Sequence, residues 1–198
     1  APYLKLMVIS DEMCKRLLHH EGLYYPLGLG PHGLVSEALL LHMKSPAIHG
    51  ALNMIYRYGI TEDEAYAQKV YPYLRGVADF WEKDLVCRDG VYHVVGDGMH
   101  ERTDGNIRDN GVPEDPVNTL GYLKTFFTWM PRISEALDLD EKKREKWLEI
   151  AENLAPYPKG TIREIQENPT LWKEVDVKLE DLLPEEMLDK EIYYDEGI

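Results

Sequence analysis

The chain is short of positive charge, of cysteine and of phenylalanine, and each shortage removes a class of explanation. Its 198 residues hold 22 Lys and Arg against 36 Asp and Glu, a formal net charge of −14. Phosphate backbones and anionic membrane surfaces both demand a basic footprint, so neither nucleic acid nor membrane is an expected partner. No apolar run approaches the roughly 20 residues that span a bilayer as a helix. The opening APYLKLMVIS has neither a basic n-region nor a full apolar h-region, so it is not expected to be a secretory signal, and localisation stays open. The two cysteines, Cys14 and Cys87, lie far apart and match no metal or redox spacing, so free thiols are expected. No cofactor is expected. Three Phe stand beside 13 Tyr and 4 Trp. Rings with a polar handle suit sugar faces as well as half-wet helical cores.

What is present reads as helix. DEMCKRLLHHEG forms a short helix with Asp11 near its start and Gly22 just past its end, and LYYPLGLGPHG follows as loop. LVSEALLLHMK and, after Ser45-Pro46, AIHGALNMIYRYG are both helical. Thr61 and Glu64 have capping-box spacing, and Val70, Leu74, Val77, Trp81 and Leu85 then recur at intervals of three and four, one buried face. Pro72 is expected to kink this helix or delay its regular part. DGVYHVVG is a short β piece with Val91, His93 and Val95 alternating against Tyr92 and Val94. Asp115-Pro116 is an expected N-cap and first turn for VNTLGYLKTFFTWMPRISEALDL, bent at Pro131, and Asp140 caps the next helix. A last short helix is expected at LEDLL or PEEMLDK. The fold class is therefore all-α, antiparallel helical hairpins with short β pieces. Residues 1–160 form the main domain. Residues 161–198 form an acidic irregular or helical extension, with twelve acids against four bases.

The least regular stretch is GDGMHERTDGNIRDNGVPEDPVN, residues 96–118. It holds six carboxylates (Asp97, Glu101, Asp104, Asp109, Glu114 and Asp115) with two arginines, a histidine and four glycines. It lies between two strongly amphipathic helices rather than at a terminus, contains Asp-Gly and Asn-Gly turn pairs, and feeds a helix start. An ordered, site-lining loop is expected. No Ca-loop spacing exists, and His100 lacks a second His at a helical interval, so no metal is expected. Paired carboxylates for general acid and base work are the alternative, as in glycoside hydrolysis.

Two runs carry a resemblance. GITEDEAYAQKVYPYLRGVADFWEKDLVCRDGVYHVVGDGMHER and DPVNTLGYLKTFFTWMPRISEALDLDEKKREKWLEIAENLAPYP are similar to the central part of six-hairpin glycosidases. The nearest group is the inverting α-L-fucosidases of glycoside hydrolase family 95, in VYPYLRGVADFW, in DGVYHVVG and in the closing LAPYP. HHEGLYYPLGLG matches more loosely, and the resemblance spans roughly residues 15–160. It implies an (α/α)6 toroid and α-glycoside hydrolysis with inversion on an oligosaccharide or glycoside substrate, with Glu101 as general acid. His100 stands where the family has Pro, and Arg102 follows. His19, His20, Tyr24, Tyr25, His100, Arg102, Asp104 and Asp115 are the substrate-binding residues that go with it.

Each of these residues also has a structural reading. Glu101 is then a solvated loop acid, His19 and His20 a charge pair at a helix C-terminus, Tyr24 and Tyr25 core, and Asp115 a cap; Trp81 and Trp147 are core in either case. The stretch does not contain the general base that the family supplies from a later hairpin, so the chain is expected to be part of a larger toroid that associates with itself or a complementary fragment. The alternative function is a non-catalytic helical carbohydrate-binding or scaffold domain.

Overall fold

A computed structural model describes residues 7–25, 43–97, 114–167 and 181–193. Among them are seven α-helices and two small antiparallel sheets. In order these are α1 (Met7–Leu18), α2 (Pro46–Thr61), α3 (Glu64–Asp84), β1 (Val86–Arg88), β2 (Val91–His93) and α4 (Val117–Ala136). A 3-10 turn (Glu141–Lys143) leads into α5 (Arg144–Glu152), followed by β3 (Lys159–Thr161), α6 (Ile162–Glu167), α7 (Glu185–Leu188) and β4 (Glu191–Tyr193). The all-α expectation with short β pieces holds for these residues. Nearly all of the expected LVSEALLLHMK helix lies outside them.

The periodic face of α3 is the heart of the core. Val70, Leu74, Val77 and Trp81 are all buried, and Tyr73 and Phe80 bury between them. Pro72 and Pro131 both lie inside helices that stay continuous across them. An internal proline costs about 3 kcal/mol, and the aromatic and aliphatic side chains buried on either side of each one outweigh it. The caps differ from the sequence expectation. Thr61 is the last residue of α2, its hydroxyl donating to the Arg57 carbonyl, and Asp63 caps α3 by accepting from Tyr66 N at 3.0 Å. Asp140 caps nothing with its side chain. Its carboxylate instead accepts from Tyr71 Oη at 2.9 Å and Arg75 Nε at 3.1 Å, tying the α4–α5 connection to α3.

Two antiparallel hairpins, α2–α3 and α4–α5, pack side by side in the same sense. The His49 ring of α2 stacks on Tyr122 of α4 near their starts, and Gly59 lies against Trp129 near their ends, so these two helices run parallel. On the other layer Asp140 meets Arg75, and Trp147 Nε1 donates to Glu82 at 2.7 Å, so α5 runs parallel to α3. Lys143 joins the same seam, 2.8 Å from Glu82 and 3.3 Å from Asp79. The start of α2, the end of α3 and the start of α4 therefore share one end of the bundle.

The β1–β2 hairpin pairs Val86 with His93 and Arg88 with Val91, around Asp89-Gly90, both at the positive φ that a two-residue turn favours. Tyr92 continues outward, exchanging backbone bonds with Asn153 and Ala155. The second sheet pairs β3 with β4, so it joins the end of the main domain to the acidic extension. Arg163 adds exposed ion pairs to Asp189 and Glu185 there.

Residues 20–25 run back along α3, and this passage depends on Gly22. Its φ is +128°, and a Cβ there would sit 2.5 Å from the Phe80 backbone. Gly22→Ala is thus expected to destabilise the chain by about 3 kcal/mol or more, since backbone strain and a backbone clash add. Denaturant unfolding with an unchanged midpoint would refute this packing.

Candidate functional site

Where the start of α2, the end of α3 and the start of α4 meet, the interior becomes polar. Asp97, just beyond β2, has no exposed surface. Its Oδ1 accepts from the Lys44 backbone N at 2.6 Å, and its Oδ2 from Thr119 Oγ1 at 2.7 Å, in the first turn of α4. Lys44 turns its ammonium to both oxygens of Asp84 (2.9 and 2.8 Å) and to the Val95 carbonyl at 2.9 Å. His20 Nε2 lies 3.5 Å from Asp84, and Cys14 Sγ lies 3.5 Å from His20 Nδ1. The buried Asp97, the half-buried Asp84 and one ammonium thus hold together residues 20, 44, 84, 97 and 119, from distant parts of the chain.

Burial sets the protonation behaviour here. Desolvation pushes the Asp97 carboxyl up from 3.8 to about 6; the hydrogen bonds from Lys44 N and Thr119 and the Lys44 charge oppose it, while Asp84 adds to it. The Tyr24 hydroxyl is raised by burial and then by Asp97 and Cys14, and it has no hydrogen-bond partner among the described residues. Burial, with Asp11 and Asp84, lifts the Cys14 thiol to about 11, so it stays protonated and unreactive. Both cysteines are free, as expected.

Beside this lies a second acid pair. Asp115 was expected to cap α4, but the N-cap is Pro116, with no side-chain bond. The Asp115 carboxylate faces the sheet instead. Its Oδ1 accepts from Val94 N at 2.9 Å, and its Oδ2 lies 2.7 Å from His93 Nδ1. The left-handed backbone at Asp115 (φ 54°) aims the side chain back at β2 rather than along the helix. Glu114 pairs through two bonds, 2.9 and 3.0 Å, with Arg88. His93, Glu114 and Asp115 together bring ligand-type atoms within 4.8 Å of one another. Arg88 already balances Glu114, and a cation bound there would sit beside a guanidinium, so we assign no metal to this cluster.

The other expected site residues separate. Glu101, His100, Arg102 and Asp104 lie outside the described residues. His19 is exposed at the C-terminal end of α1, with positive φ. His20 joins the Asp84 network. Tyr24 and Tyr25 are buried, their rings stacked on Phe80 and Tyr73. Sequence reasoning passed over Lys44, Asp84, Thr119 and His93, and named Asp97 only as one of six loop acids. Each sits at an element end, where no periodicity marks it, and their meeting is a product of tertiary packing. No protein-family model matches the chain, and no curated protein matches it significantly.

Asp97 carries a pH signature. Its folded-state pKa is raised, so its contribution to stability is fully present below the unfolded value of 3.8 and is lost as pH rises through about 6. Asp97→Asn keeps acceptor capacity without titrating. The stability difference between native chain and variant should fall by roughly 2–3 kcal/mol between pH 4 and pH 7.5, read by denaturant unfolding. A difference independent of pH would mean that Asp97 is not desolvated as described.

Proposed function

We propose that the chain is the acid-bearing part of a glycoside hydrolase, α-L-fucosidase-like and inverting, with its site at the end of the bundle where Asp97, Lys44, Asp84 and Thr119 meet. One observation carries the reading. Residue 97, four before Glu101, and residue 114, after the acidic stretch, are both anchored at this one end, by a buried carboxylate and a backbone bridge to Val95. Such anchoring suits a stretch whose carboxylates must be held in place. The parallel repetition of α2–α3 and α4–α5 supports an (α/α)6 toroid, because a toroid repeats this unit around its axis. In this scheme Glu101 protonates the leaving oxygen while a second carboxylate activates water from the opposite face of the sugar.

A non-catalytic carbohydrate-binding or scaffold domain is the second reading, and the site's own bonding favours it for this chain alone. Asp97, Asp84, Glu114 and Asp115 each already have hydrogen-bonded or ionic partners. None of these four is free to serve as the base. The base then comes from elsewhere in an assembled toroid, through self-association or a complementary fragment.

A fucose-configured iminosugar, cationic at neutral pH, separates the outcomes. It should bind saturably by calorimetry, and Glu101→Gln should weaken binding about tenfold through loss of an ionic contact. The chain by itself should hydrolyse aryl α-L-fucoside, α-galactoside and α-glucoside negligibly. Absence of binding by the iminosugar and by its galactose- and glucose-configured analogues would remove the glycosidase reading. Robust turnover abolished by Glu101→Gln would show a complete acid and base pair within this chain.

A further inference from the structure

A second cleft lies at the opposite end of the bundle. It has a volume of about 360 Å³ and is lined by Tyr58, Gly59, Glu62, Glu64, Trp129 and Arg132. Trp129 stands twelve residues beyond the start of α4, which at 1.5 Å per residue places it roughly 18 Å from the Asp97 end. The two ends are therefore separate sites.

The indole is held as a platform. Gly59 lets it lie against α2, where a Cβ would come within 2.9 Å of the ring. The Arg132 guanidinium also lies near the indole, 5.3 Å from the ring centroid. Arg132 has no ion pair among the described residues, and the Glu62 and Glu64 side chains likewise have no partner there. The Tyr58 hydroxyl is kept protonated by burial and then by the charges of Glu64 and Glu62. The cleft thus offers one half-buried flat apolar face, two acceptor carboxylates, a five-donor guanidinium and a phenol.

We propose that this cleft binds a neutral hexopyranoside unit, its C–H face on Trp129 and its hydroxyls on Glu62, Glu64, Arg132 and Tyr58. Charge selects against the alternatives. An anionic ligand would face two carboxylates, and a cationic one would meet the Arg132 guanidinium. A polyhydroxylated ring of no net charge uses both kinds of group at once, and the volume falls within the usual range for small-ligand sites, about 300–1,000 Å³. The proposal does not rest on the glycosidase reading.

Ligand-observed saturation-transfer NMR tests it, with methyl α-D-glucopyranoside, methyl β-D-galactopyranoside and methyl α-L-fucopyranoside as probes. At least one should bind saturably with a dissociation constant on the order of 1 mM, as a single open ring-stacking subsite allows. Trp129→Ala should weaken it about tenfold. Glu62→Gln combined with Glu64→Gln should weaken it too; both side chains are exposed, so this variant keeps the fold if Trp129→Ala does not. Saturable binding with no component lost in these variants, or no saturable binding by any of the three glycosides, overturns the proposal. Glu101→Gln should leave the component that Trp129→Ala removes unchanged, and loss of that component in Glu101→Gln would assign the sugar to the Asp97 end, which also overturns it.

Discussion

The arrangement where the start of α2, the end of α3 and the start of α4 meet depends on one buried carboxylate. Asp97 sits where an unpartnered charge would be prohibitively costly, and it is tolerated because a backbone N–H and a threonine hydroxyl each give it a short hydrogen bond. Those bonds fasten the end of the β hairpin to the start of α2 and to the first turn of α4. The Lys44 ammonium then reaches Asp84, bringing in the end of α3. Removal of one partner would leave a buried polar atom short of one bond, a heavier loss than the bond itself.

The two hairpins are held by a different kind of contact. Glu82 accepts from the buried Trp147 indole and from Lys143, and Asp140 accepts from Tyr71 and Arg75. These bonds fix the register of α5 along α3, while His49 on Tyr122 and Gly59 against Trp129 fix α2 along α4. Apolar burial supplies most of the stabilisation, but it is nearly indifferent to sliding. The polar and aromatic pairs decide where the helices stop. A consequence is that the Asp97 site and the Trp129 cleft are set at opposite ends of one seam.

For chemistry, the contrast between these ends matters. The Asp97 end holds carboxylates that are hydrogen-bonded and oriented, one of them, Asp97, fully buried. The Trp129 cleft holds carboxylates that are exposed and, among the described residues, unpaired beside an aromatic side chain. The functional groups come from helix ends, where backbone and side chains are not consumed by core packing.

The helices themselves were legible in the sequence. Val70, Leu74, Val77 and Trp81 at intervals of three and four determine a buried face wherever that helix packs, and Asp89-Gly90 between β-branched and aromatic residues determines a hairpin. These are local signals, fixed by 3.6-residue and two-residue periods. The caps and the site were not local. Asp115 reads as an N-cap because an acid precedes a proline, yet Val94 N and His93, more than twenty residues away, compete for its carboxylate and win. Asp140 keeps its expected N-cap position, but its carboxylate goes to Tyr71 and Arg75 in the same way. Lys44 and Asp97, fifty-three residues apart, meet only once α2 and α4 lie parallel. Sequence alone determined the helical class, the buried faces and the charge. Tertiary structure alone decided which carboxylates are buried, which are paired and which remain free for a ligand, because burial and pairing are properties of neighbours that the linear order does not supply.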